Sequence, residues 1–396
     1  MVPPPRRVCT RVKALLRRRT GLAGKQLGKY RVHRAFGNVE DCRVEITRIG
    51  VSEGFLLPGL EFRAMHRFFG AVLTLLLIGA LPARAAEDPP SATVFAEPAE
   101  RVALSDGRRM NVVCLGSGSP TVLFDAGTSD WSAKWILVQP AIAPSHRSCS
   151  FDRFGMGFSD PANDDPASAN VLADELHALV KAAKIDTPLI LVGHSLGGAL
   201  SLLYAEKFPR DVAGLVLVDP YSGIFANRAN DATRGIFTAR RLANLAPYRA
   251  CVAAAATEKL VPGSPLFTGC TDPERTEMGS LLIGSRHRVE ATLAYQQTQL
   301  RDLEALNTAY PVEFNAATMN LGRLPLVILT TGRTFAGDGP GGAPIGRLWR
   351  ASHLSIAAQS KRGSVRVFMN EPHNIQLTRP AAVIDAINDV IAMVRP

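Results

Sequence analysis

The stretch Pro188–Leu200, with the sequence PLILVGHSLGGAL, holds one serine inside a tight frame of glycines. Gly193 and Gly197 each stand two residues from Ser195, after an unbroken apolar run and before a helical pattern. A sharp turn between a buried strand and a helix lifts such a serine above the sheet, and the helix N-terminus favours a developing oxyanion. The pattern therefore predicts that Ser195 is a nucleophile. The structural alternative is a glycine-rich turn with a passive serine.

A serine hydroxyl is a poor nucleophile unless a base takes its proton. His373, in the segment NEPHNIQLTRP, follows the last predicted strand and precedes the last helix, where such a base is expected. The alternative for His373 is a solvated loop histidine. His194 stands inside the turn itself and is expected to point away from the site. The remaining histidines have no comparable placement: His33 and His66 near the N-terminus, and His146, His177, His287 and His353 in loops or helices.

An acid must orient the imidazole of the base, and two aspartates could do so. Asp219 ends the strand GLVLVD, directly after the helix that follows the serine. Asp338 lies late in the long loop TTGRTFAGDGP, after the next core strand, which is the more usual topological place. We favour Asp219 because it is fixed at a strand end, although it could instead cap the turn into Pro220. Hydrogen-bond reach to His373 decides between the two.

The elements that must position these residues alternate between strand and helix. Buried strands such as PTVLFDAG, PLILVGH, VAGLVLVDP and LPLVILTTG are separated by helical patterns, including one predicted helix over residues 131–142. Such alternation predicts a mostly parallel sheet with helices on both faces. The alternation of strands and helices stops between residues 221 and 320. We interpret this segment as a mainly helical cap insertion at the carboxyl edge of the sheet, where ligands bind. Residues 86–220 and 321–396 would form the core.

Positive charge is concentrated near the N-terminus of the chain. Residues 1–85 hold 16 of the 45 Lys and Arg residues and 5 of the 35 Asp and Glu residues. The rest of the chain then carries 29 basic and 30 acidic side chains and is close to neutral. The formal net charge of +10 therefore gives no reason to expect a nucleic-acid partner. We expect residues 1–64 to be a non-native or disordered basic leader, with the true start at Met65.

Residues 65–85 have the layout of a secretory signal peptide. A short polar segment, MHR, is followed by 14 uncharged residues and by the small-x-small site Ala-Arg-Ala. The apolar run is too short for a comfortable membrane span of about 20 residues. We therefore expect export to the periplasm or the medium after cleavage near Ala85. The alternative is an uncleaved signal anchor in the membrane.

The motifs together resemble those of the α/β-hydrolase superfamily, in its lipase- and esterase-like, haloperoxidase-like branch. The resemblance covers most of residues 101–396 and rests on TVLFDAGTSDWSAKW, SFDRFGMGFSD, LILVGHSLGGALSLLYAEKFP, VAGLVLVDP and EPHNIQLTRPAAVIDAI. It implies an eight-stranded sheet, the chain order Ser, Asp, His, and a cap at 221–320. It also implies that the backbone N–H groups of Leu196 and Thr128 form the oxyanion hole, and that Asp152 and Arg153 shape the floor of the site.

Four cysteines remain beyond the leader, an even number that favours disulfides in an exported chain. In the implied fold the strand with Cys114 runs beside the strand with Cys149, and neighbouring strands are within disulfide reach. Cys251 and Cys270 both lie in the cap and would close a loop there. We expect these two pairs. The absence of a Cys-x-x-Cys spacing gives no support to a metal site.

These residues predict a serine hydrolase that cleaves a carboxylic ester or an amide of a small molecule through an acyl-enzyme, with no metal or organic cofactor. One alternative is hydrolysis of a thioester, a lactone or a carbon–carbon bond on the same fold. The other is a catalytically silent protein that holds a ligand under the cap. The substrate and the oligomeric state have no readable signal in the sequence.

Overall fold

The computed structural model describes residues 31–34, 42–45, 92–163, 165, 167–272, 278–315, 319–337 and 341–394. The expected signal peptide at 65–85 and the alternative acid Asp338 lie outside these residues. The boundaries expected for the leader, the signal peptide, the core and the cap stay predictions.

One twisted sheet organises the described part of the chain. Its central strands follow the order β6-β5-β7-β8-β9-β10 and are all parallel, while β4 and β3 add an antiparallel edge beside β6. These eight strands form the expected mostly parallel sheet. They are β3 (Glu100–Ala103), β4 (Arg109–Leu115), β5 (Val122–Asp125), β6 (Ser148–Phe151), β7 (Leu189–His194), β8 (Val212–Val218), β9 (Leu326–Thr331) and β10 (Gly363–Phe368).

Two further short strands extend the same sheet beyond β10. They are β1 (Arg31–Arg34) and β2 (Cys42–Glu45), which pair with each other and, through β2, with β10 in antiparallel register. The sheet thus has ten strands within the described residues, of which eight belong to the segment that carries the sequence motifs.

Strand side chains alternate between two apolar layers. Along β7, Leu189 and Leu191 pack on one face of the sheet, while Ile190 and Val192 pack on the other. Helices cover both faces, as the unbroken apolar strands predicted. One face packs against α3 (Ala169–Ala182), α4 (Leu196–Lys207) and α12 (Gly342–Ala357), and the other against α2 (Gln139–Ile142) and α14 (Pro380–Val394).

The insertion between β8 and β9 is mainly helical in its described residues, as expected for a cap. Its helices are α5 (Gly223–Ala232), α6 (Ile236–Ala243), α7 (Ala246–Ala255), α8 (Pro265–Cys270), α9 (Ser280–Glu290), α10 (Leu293–Ala305) and α11 (Tyr310–Glu313). Two further short helices lie outside it, α1 (Ala92–Ala96) before β3 and α13 (Ile375–Thr378) before the last helix.

The single helix expected over residues 131–142 is wrong in detail. The segment forms a 3₁₀ turn at Ser132–Trp135 and then the separate helix α2. Pro140 sits at the start of α2, where a proline fits because it has no N–H to donate to the preceding turn.

Both cysteine pairs favoured by the sequence are bonded in the structure. Cys114 and Cys149 are direct register partners on the antiparallel strands β4 and β6. Cys251 on α7 joins Cys270 at the end of α8 inside the cap.

Within the part of the chain that the structure describes, no helix combines the length and apolar character needed to cross a membrane.

Candidate active site

Ser195 occupies a strained turn between β7 and α4. Its backbone has φ 51° and ψ −115°, a left-handed conformation that non-glycine residues rarely adopt. The flanking glycines permit this turn because the chain passes very close to itself. A Cβ at Gly193 would lie 2.3 Å from the Gly197 carbonyl oxygen, and one at Gly197 would lie 2.5 Å from the backbone oxygens of Asp125 and Ala126.

Hydrogen bonds from neighbouring strands and loops hold the turn in place. The Ser195 N–H donates to the Val218 carbonyl of β8 at 3.1 Å, and the Ser195 carbonyl accepts from the Tyr221 N–H at 2.8 Å. The backbone of Ser195 is therefore tied to the end of β8 and to the first residues of the cap segment.

Asp219, one residue beyond β8, lies against His373. The distance between His373 Nδ1 and Asp219 Oδ2 is 2.7 Å, and the Asp219 side chain is fully buried. Asp219 also has a positive φ of 45°, which aspartate tolerates better than most residues. Of the two candidate aspartates, Asp219 lies within hydrogen-bond reach of His373. Asp338 lies outside the described residues.

Several further donors converge on the Asp219 carboxylate. Trp349 Nε1 on α12 donates to Oδ1 at 2.8 Å, the Thr331 N–H donates to Oδ1 at 3.1 Å, and Thr334 Oγ1 donates to Oδ2 at 2.5 Å. Burial alone would raise the pKa of Asp219. The hydrogen bond and charge of His373, together with His353 and Thr334, outweigh burial and hold that pKa well below its usual range.

His353 is a second histidine near the same carboxylate, but both its ring nitrogens are engaged elsewhere. Its Nε2 lies 2.8 Å from the Pro220 carbonyl and its Nδ1 lies 2.7 Å from Thr330 Oγ1, while Asp219 Oδ1 is 4.0 Å away. A carbonyl only accepts, so Nε2 carries the proton. Burial lowers the pKa of His353, which keeps the ring neutral.

The expectation that His194 points away from the site is wrong. Its ring centroid lies 4.6 Å from that of His373, and its Nε2 donates to the His373 carbonyl at 3.2 Å. Burial, and then the neighbouring charges of His373 and Lys134, lower the pKa of His194 well below its usual value. His194 therefore supports the backbone of the loop that carries His373. Nothing in the local sequence distinguishes this role from the expected one.

The loop after β5 passes directly beside the serine. A Cβ at Gly127 would lie 3.2 Å from Ser195 Cβ. The next residue, Thr128, lines a cavity together with Ser195 and His373. Leu196 is the first residue of α4, and the N–H groups of a first helical turn have no acceptor within the helix. Thr128 therefore lies on the loop that passes beside Ser195, and Leu196 directly follows Ser195 at the start of α4.

Arg153 and Asp152 brace this loop from beneath. Arg153 Nη1 donates to Asp125 Oδ1 at 2.5 Å and to the Ala126 carbonyl at 2.7 Å, and its Nη2 donates to the Gly127 carbonyl at 2.5 Å. The buried Asp152 accepts from three donors: Ser132 N–H, Asn111 Nδ2 and Phe158 N–H. Both side chains are buried and support the backbone around this loop. The floor-shaping role expected for them stays a prediction.

A cavity of about 580 Å³ opens above Ser195 and His373. It lies between the core and the cap, and the bonded Cys251 and Cys270 form part of its wall. Its volume is in the range typical of small-molecule sites. Among the described residues, no group of three or more His, Cys, Asp or Glu side chains is arranged to hold a metal ion.

Comparisons with known proteins agree with this fold. Residues 120–255 match the model of the alpha/beta hydrolase fold family. The protein YqjL of Bacillus subtilis (strain 168), itself uncharacterized, is 33% identical over 278 residues, which cover 69% of this chain and 85% of YqjL. The chain belongs to the α/β-hydrolase family.

Other relatives of this α/β hydrolase match over shorter stretches. A Pseudomonas putida (strain F1) protein named 2-hydroxy-6-oxo-2,4-heptadienoate hydrolase is 33% identical over 30% of this chain and 43% of its own length. A solved structure of a thermophilic esterase from Thermogutta terrifontis aligns with a TM-score of 0.53, at 18% identity, over 75% of this chain and all of that one. The structural likeness shows a shared fold.

The cap of this α/β hydrolase is joined to the core by buried ion pairs. Arg286 on α9 pairs with Asp130 at 3.1 Å and with Glu290 at 2.7 Å, and Lys134 pairs with Asp130 at 2.8 Å. The Arg286 guanidinium also stacks 4.3 Å from the Trp131 ring. Asp130 closes the loop that carries Thr128, so the cap helix and this loop share one charged network. No local pattern in the sequence indicates this long-range contact.

Removing one partner from this network should be costly. We expect Arg286→Met to lower the free energy of unfolding by about 3 kcal/mol, because it leaves the buried Glu290 carboxylate uncompensated. Arg288→Met is the matched control on the same helix, since Arg288 is exposed and pairs only loosely with Glu97 at 3.3 Å. Urea unfolding of both variants gives the comparison. Equal midpoints for the two variants would contradict the structural role of Arg286.

The buried neutral histidines should make stability depend on pH. A histidine whose folded pKa is depressed binds a proton in the unfolded chain first, at a pKa of about 6.5, so stability is lost as pH falls below that value. The slope reaches about 1.4 kcal/mol per pH unit for each such residue. We therefore expect His353→Gln to flatten the decline in unfolding free energy between pH 6.5 and 5, measured by urea titration. An unchanged slope would show that the pKa of His353 is the same in the folded and the unfolded protein.

Proposed function

We propose that this α/β hydrolase is a serine hydrolase that cleaves a carboxylic ester, or an amide, through an acyl-enzyme. The observation that carries the proposal is the 2.7 Å contact between His373 Nδ1 and Asp219 Oδ2. His373 also borders one cavity together with Ser195, whose backbone is strained. A nucleophile, a base and an orienting acid in this chain order match the expected chemistry. The family membership supports hydrolysis in general, and the ester specificity is part of the proposal.

The contact with Asp219 sets the tautomer of His373. Because the ionised Asp219 only accepts, Nδ1 of His373 carries a proton and Nε2 is left as the basic nitrogen. Nε2 takes the Ser195 hydroxyl proton as Oγ bonds to the substrate carbonyl carbon. The carbonyl oxygen becomes an oxyanion, held by the N–H groups of Leu196 and Thr128.

Collapse of this intermediate breaks the bond to the leaving group. The proton on His373 Nε2 passes to the departing oxygen or nitrogen, and the acyl group stays on Ser195 Oγ. Water then enters, gives a proton to Nε2 and bonds to the acyl carbon, and the acid leaves as the proton returns to Ser195. Asp219 stays ionised throughout, and its low pKa keeps it so.

Hydrolysis of a carbon–carbon bond is a second candidate for the same residues. It is favoured by the partial match to the Pseudomonas putida protein named 2-hydroxy-6-oxo-2,4-heptadienoate hydrolase. Simple aryl esters and 2-hydroxy-6-oxo-2,4-heptadienoate, assayed side by side, separate the two activities. A non-catalytic binding protein, the other alternative, would not react with a fluorophosphonate probe.

We also propose that the protein is exported before it acts. The layout of residues 65–85 motivates the proposal, and two disulfides are consistent with an oxidising compartment. N-terminal sequencing of the exported protein should find a start near Ala86, and an intact N-terminal segment would favour the membrane-anchored alternative.

Replacement of the proposed nucleophile should abolish activity without unfolding the protein. We expect Ser195→Ala to lower kcat for p-nitrophenyl acetate by at least about 10⁴-fold, since no other hydroxyl takes its place at the turn. Labelling by a fluorophosphonate should be lost in parallel, while the urea midpoint is kept. Retention of more than a tenth of the wild-type activity would remove Ser195 from the mechanism.

Replacement of the acid should act through the imidazole. Asp219→Asn is expected to lower kcat by about 10³- to 10⁴-fold, because an amide can donate to Nδ1 and so favours the wrong tautomer of His373. Asp338→Asn is the matched control and should leave kcat within a factor of about three. The measurement is kcat for p-nitrophenyl acetate near neutral pH. The reverse ranking of the two variants would assign the acid to Asp338.

A further inference from the structure

Thr128, the second donor of the proposed oxyanion hole, lies in a tight turn over residues 127–130. The Asp130 N–H donates to the Gly127 carbonyl at 3.3 Å and closes the turn. Ser129, at the third position, has a φ of 63°, which glycine adopts far more readily than serine. A strained turn of this kind keeps its shape only where contacts from outside hold it.

The core of the protein holds the first peptide of this turn. Arg153 Nη2 donates to the Gly127 carbonyl at 2.5 Å. The Gly127–Thr128 peptide is trans, and in a trans peptide the N–H points opposite to the C=O of the same unit. The Thr128 N–H therefore points away from the Arg153 guanidinium. Because Thr128 lines the cavity together with Ser195, this direction suits a donor to the reacting carbonyl.

The cap holds the other end of the turn through one tyrosine. The hydroxyl of Tyr295, on α10, donates to the Ser129 carbonyl at 3.0 Å. Gln299, one helical turn further along α10, donates from Nε2 to Tyr295 Oη at 3.1 Å. Burial raises the pKa of Tyr295 well above its usual value, so the hydroxyl keeps the proton that it gives to Ser129.

Packing against the residue after the turn fixes the ring of Tyr295. The ring lies edge-on to Trp131, with centroids 5.9 Å apart and planes at 79°, and both side chains are buried. Such edge-to-face pairs favour one relative orientation. The ring and the hydroxyl of Tyr295 therefore make separate contacts, and replacement by phenylalanine removes the hydrogen bond while it keeps the ring.

We propose that Tyr295 is a positioning residue of the oxyanion hole, because its hydrogen bond to the Ser129 carbonyl holds the turn that presents the Thr128 N–H to the oxyanion. The cap thus supplies part of the geometry of the hole, although both N–H groups of the hole belong to the core. Full stabilisation of the oxyanion requires α10 to be seated on the turn. This inference rests on the proposed function, since it concerns the same site.

A conservative substitution separates positioning from substrate binding. We expect Tyr295→Phe to lower kcat for p-nitrophenyl acetate by about 10- to 100-fold and to leave KM within about twofold, because a displaced donor is lost mainly in the transition state. The matched control is Tyr204→Phe on α4, which removes the hydrogen bond from a buried tyrosine to Asp211. The control should leave kcat unchanged. A raised KM with unchanged kcat in Tyr295→Phe would overturn the proposal.

An inhibitor that forms an oxyanion tests the step more directly. With trifluoroacetophenone, Ser195 Oγ bonds to the carbonyl carbon, the hydroxyl proton passes to His373 Nε2, and the carbonyl oxygen becomes negatively charged. We expect the inhibition constant to rise in Tyr295→Phe by about the factor that kcat loses, and to stay constant in Tyr204→Phe. An unchanged constant in Tyr295→Phe would place the loss of activity outside the oxyanion hole and overturn the proposal.

Hydrogen exchange separates this inference from the catalytic proposal, because it needs no hydrolysis. Exchange of the amides of residues 127–131 is measured by mass spectrometry in Ser195→Ala, alone and combined with Tyr295→Phe or Tyr204→Phe. Faster exchange at this turn with Tyr295→Phe only would support the positioning of the turn, even if the wild type hydrolyses no ester. Equal exchange in the three proteins would overturn it, even if Ser195 proves to be the nucleophile.

Discussion

A fully buried carboxylate needs several donors, and the site is arranged around that requirement. Desolvation of Asp219 would by itself favour the neutral acid, which could not orient a histidine. Hydrogen bonds from the end of β9, from α12 and from the loop that carries His373 offset this desolvation and stabilise the ionised carboxylate. These donors lie 112, 130 and 154 residues further along the chain than Asp219. The ionisation of one side chain therefore depends on the correct assembly of the whole carboxyl edge of the sheet.

The backbone at the site is strained at two points, and the same assembly holds both. Ser195 and Asp219 have positive φ values, and they follow the neighbouring parallel strands β7 and β8. The Ser195 N–H donates to the Val218 carbonyl, one residue before Asp219, so the two turns support each other. Strain of this kind persists only where surrounding structure over-determines it. Here the surroundings are close glycine contacts and a buried parallel sheet.

Local signals in the sequence were sufficient for part of this site. Ser195 stood out because its glycines and flanking elements form one contiguous pattern, and His373 because of its place after the last strand. The choice between Asp219 and Asp338 stayed open, because both follow core strands and sequence does not show which carboxylate reaches the imidazole. The mostly parallel sheet, the helical insertion and both cysteine pairs followed from alternation and from the implied fold.

Other features depend on contacts between distant residues and had no local signature. Trp349 looks like an ordinary core residue of an amphipathic helix, yet its Nε1 binds Asp219. Arg286 looks like a surface arginine of a cap helix, yet it is buried against Asp130 and Trp131. The direction expected for His194 is wrong because the loop that carries His373 packs beside the turn and accepts a hydrogen bond from the His194 ring. Packing across the cap and core decides these roles.

The cap leaves the core and rejoins it on adjacent, hydrogen-bonded strands. The chain departs after β8 at Asp219 and returns at β9, and the Asp219 N–H donates to the Leu329 carbonyl at 2.7 Å. Leu326, where the chain enters β9, pairs with Leu215 of β8, so exit and re-entry lie on adjacent strands whose pairing fixes both positions. The entropic cost of the intervening segment therefore grows only slowly with its length. This stretch of chain is therefore the natural place for insertions, deletions and grafts from other proteins, with the catalytic framework kept. Exchange of the whole cap keeps the catalytic framework only where the new cap also supplies a cation to Asp130, as Arg286 does.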